Sequence, residues 1–261
     1  MASSDFKSIL ALLEQSNKDH GSDIYIKSLD LSSRFKKFSG KQNKDLVGII
    51  SESPVFHYHF YDYFYQTLSD LSIDKTLNIG DLNIIDRLLI LLQLRAANVS
   101  PTIRVNADVE LDLQKHIEDM KNIVVPEDIE LEYENFHLLV GYPSLKTANV
   151  FEKLLVQKIK QFQFSDSKEH RQLLSTIFLY DILVYIKEIK MKNGDDSVDF
   201  NFKTKSSSEQ IEIVNSLPSD IILKIVETID KTYSPTISDI LTINENGSAY
   251  DIEINPAFFL K

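Results

Sequence analysis

The sequence predicts an α+β fold, mostly helical, with a small antiparallel sheet (a hairpin or meander) in the middle of the chain. Three observations predict it. Apolar residues recur at helical spacing through most of residues 42–97 and 147–232. Between them, residues 102–113 alternate, with Ile103, Val105, Val109, Leu111 and Leu113 on one parity. The helical stretches flank the alternating ones instead of interleaving with them, as in an α+β chain and unlike a doubly wound sheet.

Each element has its own signal. Residues 4–17 read as a short amphipathic helix with Ile9, Leu10, Leu12 and Leu13 on its apolar face. Residues 23–29 alternate Ile24 and Ile26 with polar residues, as a strand does. Residues 30–44 carry the basic cluster Arg34, Lys36, Lys37, Lys41 and Lys44. Residues 42–51 place Leu46, Ile49 and Ile50 on one side of a helix, and an aromatic helix follows Pro54 over 55–71. Asp81 is placed to cap an apolar helix over 82–97. After the alternating run, residues 121–125 and 129–140 are further strand candidates, giving three to four strands. Residues 147–162, 168–191, 206–216 and 218–232 read as helices. Val198, Phe200 and Phe202 suggest a short strand after the turn at 193–196. The remaining breaks fall at 165–168 and 206–208. With no Gly- or Ser-rich linker, an N-terminal helical and β-hairpin region (1–145) and a C-terminal helical region (146–261) are expected to pack as one unit.

Composition narrows the function. The 261 residues are 43% hydrophobic and 26% charged, with a formal net charge of -11. Zero Cys excludes disulfides, Cys-ligated zinc, iron–sulfur clusters and Cys nucleophiles. The acidic balance argues against a role in gripping phosphate backbones, so no nucleic-acid partner is expected. No apolar run approaches the roughly 18 residues of a membrane helix, and no membrane partner is expected. The start of the chain lacks a basic region followed by an apolar stretch, so no secretory signal is expected. The triplets beginning at Asn98 and Asn246 then read as chance matches to a glycosylation site.

Few residues declare a chemistry. In the aromatic stretch 56–65, His57, His59 and Asp62 could ligate a metal only on a strand, because on a helix the two His lie about 200° apart. A packed aromatic helix with exposed His is the preferred reading, and a partner-binding aromatic face, with Tyr58, Tyr61 and Tyr65, is the alternative. On the helix 82–97, Asn83, Asp86, Arg87 and Gln93 form a polar stripe. Arg95 falls on the opposite, apolar side and needs a carboxylate, for which Asp181 is the candidate, or carbonyls, or a route to water at the helix end. Glu127, Asp128, Glu130, Glu132 and Glu134 read as a solvated strand face, with Mg²⁺ binding as the alternative. No nucleotide-binding, nucleophile-elbow or zinc-protease motif occurs. No catalytic, cofactor-binding or metal-binding residue is therefore assigned. Phe258 and Phe259 near the chain end either dock into this chain's own core or bind another subunit.

Several blocks taken in order resemble one family. Ile26-Lys-Ser-Leu29 and Arg34-Phe-Lys-Lys-Phe-Ser-Gly-Lys-Gln-Asn-Lys44 are similar to its early strand and basic stretch. Asp81-Leu-Asn-Ile-Ile-Asp-Arg-Leu-Leu-Ile-Leu-Leu-Gln-Leu-Arg-Ala-Ala-Asn-Val-Ser100 resembles its most recognisable block, an Asp-led apolar helix ending in Leu-Arg. Asp108-Val-Glu-Leu-Asp-Leu113, Tyr142-Pro143, the helix over 180–189, Val198-Asp-Phe200, Leu217-Pro218 and Phe258-Phe259 fit the remaining order. The family is that of T4-like phage baseplate hub assembly proteins, and the likeness runs from about residue 22 to the end. Many members carry Cys near the position of residues 99–108. This chain has none, so no zinc is carried over.

The resemblance implies a non-enzymatic chaperone or subunit for the central hub of a contractile-tail baseplate. Its partners would be other baseplate and hub proteins, in the cytoplasm of an infected host bacterium or in the virion baseplate. A homo-oligomer stays open. Arg34, Lys36 and Lys37, the tyrosines and Phe258–Phe259 are the expected contacts. The residues alone leave two alternatives: a metal-dependent, nuclease-like enzyme on the strand around Glu130, or a regulatory protein that binds peptides through residues 56–65.

Overall fold

The structure, a computed structural model, describes residues 4–52, 56–105, 109–133, 136–161, 167–193 and 196–260. The first helix, α1 (Ser4–Asp19), leads into a hairpin of β1 (Ser22–Ile26) and β2 (Leu31–Phe35). The short 3-10 turn between them ends on Asp30 at φ 47°, a left-handed position that Asp tolerates better than most residues. The start of the basic cluster is therefore a strand. Ser33 and Phe35 turn inward and Arg34 outward, as a period of two requires.

Next come α2 (Gly40–Glu52) and α3 (Phe56–Leu71). The buried face of α3 is Phe60, Phe64, Leu68 and Leu71, at the spacing of a single helical stripe. The helix α4 (Ile84–Asn98) crosses the core. Asn83, not Asp81, is its cap: the Asn83 side chain accepts from the Ile85 and Asp86 N–H groups, and the Asp86 carboxylate accepts from the Asn83 N–H. Asp81 ends a preceding 3-10 turn, Ile79–Asp81, and accepts from Asn78.

The polar stripe of α4 faces protein, not water. Asp86 is 0% exposed and accepts from the Ser28 N–H at 2.8 Å. Gln93 accepts from the Tyr25 N–H at 2.8 Å and donates to the Tyr25 carbonyl at 2.9 Å, standing in for a neighbouring strand beside β1. A helix buried all round must satisfy each polar group internally, and these side chains tie α4 to the hairpin.

The alternating run 102–113 is not one strand. β3 (Thr102–Arg104) and β4 (Glu110–Asp112) fold back on each other with Ile103 opposite Leu111, and residues 106–108 lie outside the described residues. Leu113 already begins α5 (Leu113–Met120). Residues 121–125 form no strand: they leave α5 through a turn and run irregularly to Pro126. β5 (Ile129–Tyr133) and β6 (Phe136–Val140) then make a hairpin in place of the single candidate 129–140. After β6 come α6 (Leu145–Gln161) and α7 (Ser167–Leu183).

The helix expected over 168–191 stops at Leu183. From there β7 (Ile186–Asn193) pairs antiparallel with β6, Leu138 opposite Ile189, and with β8 (Asp196–Asn201). Its partner strand lies about fifty residues upstream, which local periodicity does not register. The centre of the expected turn, 194–195, and part of the break at 165–168 lie outside the described residues. The resulting sheet has the order β5-β6-β7-β8 and joins strands from both sides of residue 145.

Four helical elements follow: α8 (Ser207–Ser216), α9 (Ser219–Thr228), a π-helical turn Ile229–Tyr233, and α10 (Ser234–Leu241). The helix expected over 218–232 thus continues through the π turn into α10. A last hairpin, β9 (Thr242–Glu245) and β10 (Ser248–Asp251), turns on Asn246 and Gly247 at φ 53° and 79°. Two positive φ angles in a two-residue loop are the type I′ signature that favours Asn-Gly. The chain is α+β, mostly helical with small antiparallel sheets. Among the described residues no helix is long and apolar enough to cross a membrane.

Candidate functional site

The end of the chain is part of the core. Pro256–Phe259 form a 3-10 turn capped by Asn255. Phe259 is 3% exposed, and its ring centroid lies 4.9 Å from that of Phe64, 5.4 Å from Phe38 and 6.0 Å from Phe60. Of the two fates open to the terminal phenylalanines, the structure shows Phe259 docked in the chain's own core, with Phe258 half-buried beside it.

Arg95 explains part of that docking. Its Nε donates to the Phe258 carbonyl and its Nη1 to the Ser100 carbonyl, each at 2.6 Å, and the guanidinium sits 5.5 Å from the Phe258 ring centroid. Burial lowers its pKa. Of the expected alternatives Arg95 takes the carbonyls: it is 4% exposed, does not reach water and does not pair with Asp181. Asp181 lies beside the first turn of α4, near Ile84 and Arg87. Arg95 is eight residues further on, about 12 Å along the axis at 1.5 Å per residue.

The guanidinium that shares space with Asp181 is Arg87. A cavity of about 300 Å³ lies among α3, α4, α6 and the end of α7. Its polar members are Tyr58, Tyr61, Arg87, Glu152, Asp181 and Tyr185; Phe151, Leu155 and Ile84 supply apolar wall. Arg87 Nη1 meets Glu152 Oε1 at 2.7 Å, with the two side chains 9% and 10% exposed. The Arg87 guanidinium also lies 4.0 Å from the Tyr61 ring centroid. The ion pair is incomplete: Arg87 Nε and Glu152 Oε2 are buried without a hydrogen-bond partner.

Asp181 is the exposed member of this lining, yet desolvation pushes its pKa up to about 6. Burial, then the charges of Asp181 and Glu152, pushes the Tyr58 phenol up to about 12. Burial first raises Tyr61 and Tyr185 as well. Of the three tyrosines expected to form a binding face, Tyr58 and Tyr61 therefore line this cavity. Tyr65 is half-buried, with its hydroxyl against Gly80.

The basic residues sit elsewhere. Arg34 donates to the Asp19 carbonyl at 2.8 Å and fastens the end of α1 to the hairpin. Lys37 is exposed and Lys36 half-buried. On the edge strand β5, Glu130 and Glu132 point to solvent, and Glu132 lies 3.6 Å from His137 on the neighbouring strand. Glu134 and the side chain of His57 fall outside the described residues. Among the described residues no group of three His, Asp or Glu is gathered as a metal site would need.

Two apolar surfaces are left open by the fold. Ile9, Leu10, Leu12 and Leu13 of α1 are all exposed, Leu12 at 70% and Leu13 at 58%. A groove of about 680 Å³ runs between α7 and α8–α9, with Phe178, Leu179, Ile211, Ile222 and Leu223 among its walls. The apolar face of the first is legible in the sequence; the groove is not, because its walls come from three helices. No protein-family model, curated protein or solved structure matches the chain.

Proposed function

We propose that this chain is a non-enzymatic assembly protein, a chaperone or subunit for the central baseplate hub of a contractile-tailed bacteriophage, acting by binding other baseplate proteins. The observation that carries the binding role is α1: Ile9, Leu10, Leu12 and Leu13 form an apolar stripe that this chain leaves exposed. Such a stripe docks in a partner's groove through residues at helical spacing. The ordered likeness to hub assembly proteins over residues 22–261 supports the choice of partner. The reading places its interface on α1 and the α7–α9 groove, since Phe259 and most of the tyrosine face are occupied within the chain.

Co-expression with each hub and baseplate protein of the same genome tests it. The expected result is a stable complex on a sizing column with at least one of them, lost in Leu12→Glu/Leu13→Glu. Elution of the chain alone in every pairing would overturn the proposal.

A further inference from the structure

We propose that the Arg87–Glu152–Asp181 cavity binds a small primary ammonium ion carried on a short alkyl chain. The charge count is the first reason. One guanidinium faces two carboxylates in the cavity, and no Lys, Arg or His among the described residues forms an ion pair with Asp181. A lining with excess negative charge, partly withdrawn from water, favours a cation.

The second reason is the unmatched acceptor. Glu152 Oε2 is buried, lies in a side chain only 10% exposed, and has no hydrogen-bond donor. Buried polar atoms in native proteins find partners, and an orphan in a cavity wall marks a place for a donor. An ammonium offers three donors. Glu152 and Asp181, the two carboxylates, and Tyr58 line the same cavity.

The third reason is shape. About 300 Å³ is at the lower end of ligand-pocket volumes, suited to a few heavy atoms. Phe151, Leu155 and Ile84 provide apolar wall for an alkyl chain, and the tyrosine rings attract a cation. Asp181, raised to about 6 by desolvation alone, is mostly ionised at neutral pH without a counter-ion.

Thermal denaturation of the full chain with n-butylammonium chloride tests the site, with sodium chloride and sodium butyrate at equal ionic strength as controls. Saturable stabilisation by butylammonium alone is expected, reaching about 3–5 °C at ten times Kd. Asp181→Asn, which keeps the side-chain size, is expected to weaken binding at least tenfold, and Val184→Phe to block it by filling the cavity. No stabilisation by butylammonium, equal stabilisation by butyrate, or unchanged binding in Asp181→Asn would each overturn the proposal. Repeating the titration with Nα-acetyl-lysine amide separates two sources of the same group. Binding of both compounds assigns the site to a lysine side chain, and binding of butylammonium alone assigns it to a free amine. Neither result depends on whether the chain binds baseplate proteins.

Discussion

Arg95 and Phe258 hold the last turn of the chain onto its central helix: the Arg95 Nε–H donates to the Phe258 carbonyl at 2.6 Å beneath the Phe258 ring. A charged residue on the apolar side of α4 is thus the fastener for a segment 163 residues away. Replacing it with Met keeps the stem and removes the donors, leaving the carbonyls of Phe258 and Ser100 short of a partner. Charged hydrogen bonds of this kind contribute about 1.5–3 kcal/mol each. Arg95→Met is expected to lower unfolding stability by about 3 kcal/mol in urea titrations. A loss under 1 kcal/mol would show that the contact is incidental.

Removal of residues 256–261 should be at least as severe. It strips Phe259 from Phe38, Phe60 and Phe64 and reopens the aromatic core. Large-to-small losses of this type cost about 3–5 kcal/mol. Near-ultraviolet circular dichroism and urea unfolding of the truncated chain read the effect directly. A truncation with native signal and unchanged midpoint would contradict internal docking.

The Arg87–Glu152 pair gives a sharper contrast. Breaking a buried pair leaves one uncompensated charge, whereas replacing both partners with apolar residues removes the desolvation penalty. Glu152→Leu alone is expected to destabilise by about 3–5 kcal/mol, and Arg87→Leu/Glu152→Leu to recover most of that loss. A double-mutant cycle measures the coupling. Additive losses would show that the two charges are solvated independently.

These features differ in how well the sequence shows them. The helices with strong apolar spacing, α2, α3, α4 and α6, are legible because their faces repeat locally. Strand β7 is not, because its identity rests on pairing with β6 far upstream. The last hairpin is legible in Asn246-Gly247, a type I′ turn signal that also falls within a chance glycosylation triplet. Arg95, Phe258 and Phe259 stand out in the sequence as misplaced residues, but only the folded chain shows that the misfits answer one another. The Arg87–Glu152–Asp181 cavity is not legible in the sequence because its lining comes from four separate helices far apart along the chain.

Asp181 should make stability depend on pH in an unusual direction. Its pKa is raised from 3.8 to about 6 in the folded chain, so the folded state holds the proton more tightly than the unfolded state. The ionised carboxyl is therefore a penalty, fully present above about pH 6 and relieved as pH falls towards 4. Asp181→Asn is expected to be more stable than the parent at pH 7.5, with the difference vanishing near pH 4. The residue is exposed over more than a third of its surface, so solvent screening reduces the gain to about 1 kcal/mol. Urea midpoints of both proteins from pH 4 to 8 measure it. A constant difference across that range would rule out titration of this carboxyl as the cause.

The exposed face of α1 separates stability from function. Leu12 and Leu13 are 70% and 58% exposed, so little apolar area leaves water when this chain folds around them. Leu12→Glu/Leu13→Glu is expected to change unfolding stability by no more than about 0.5 kcal/mol per site, the range for surface substitutions away from special features. In a complex the same residues would sit in a partner's groove, where burying two carboxylates is strongly unfavourable. The variant should therefore unfold at the parental midpoint while losing its partner on a sizing column. Loss of both stability and binding would place α1 against this chain's own body. Retention of both would move the interface to the groove between α7 and α9, where Phe178→Glu and Leu223→Glu make the same comparison.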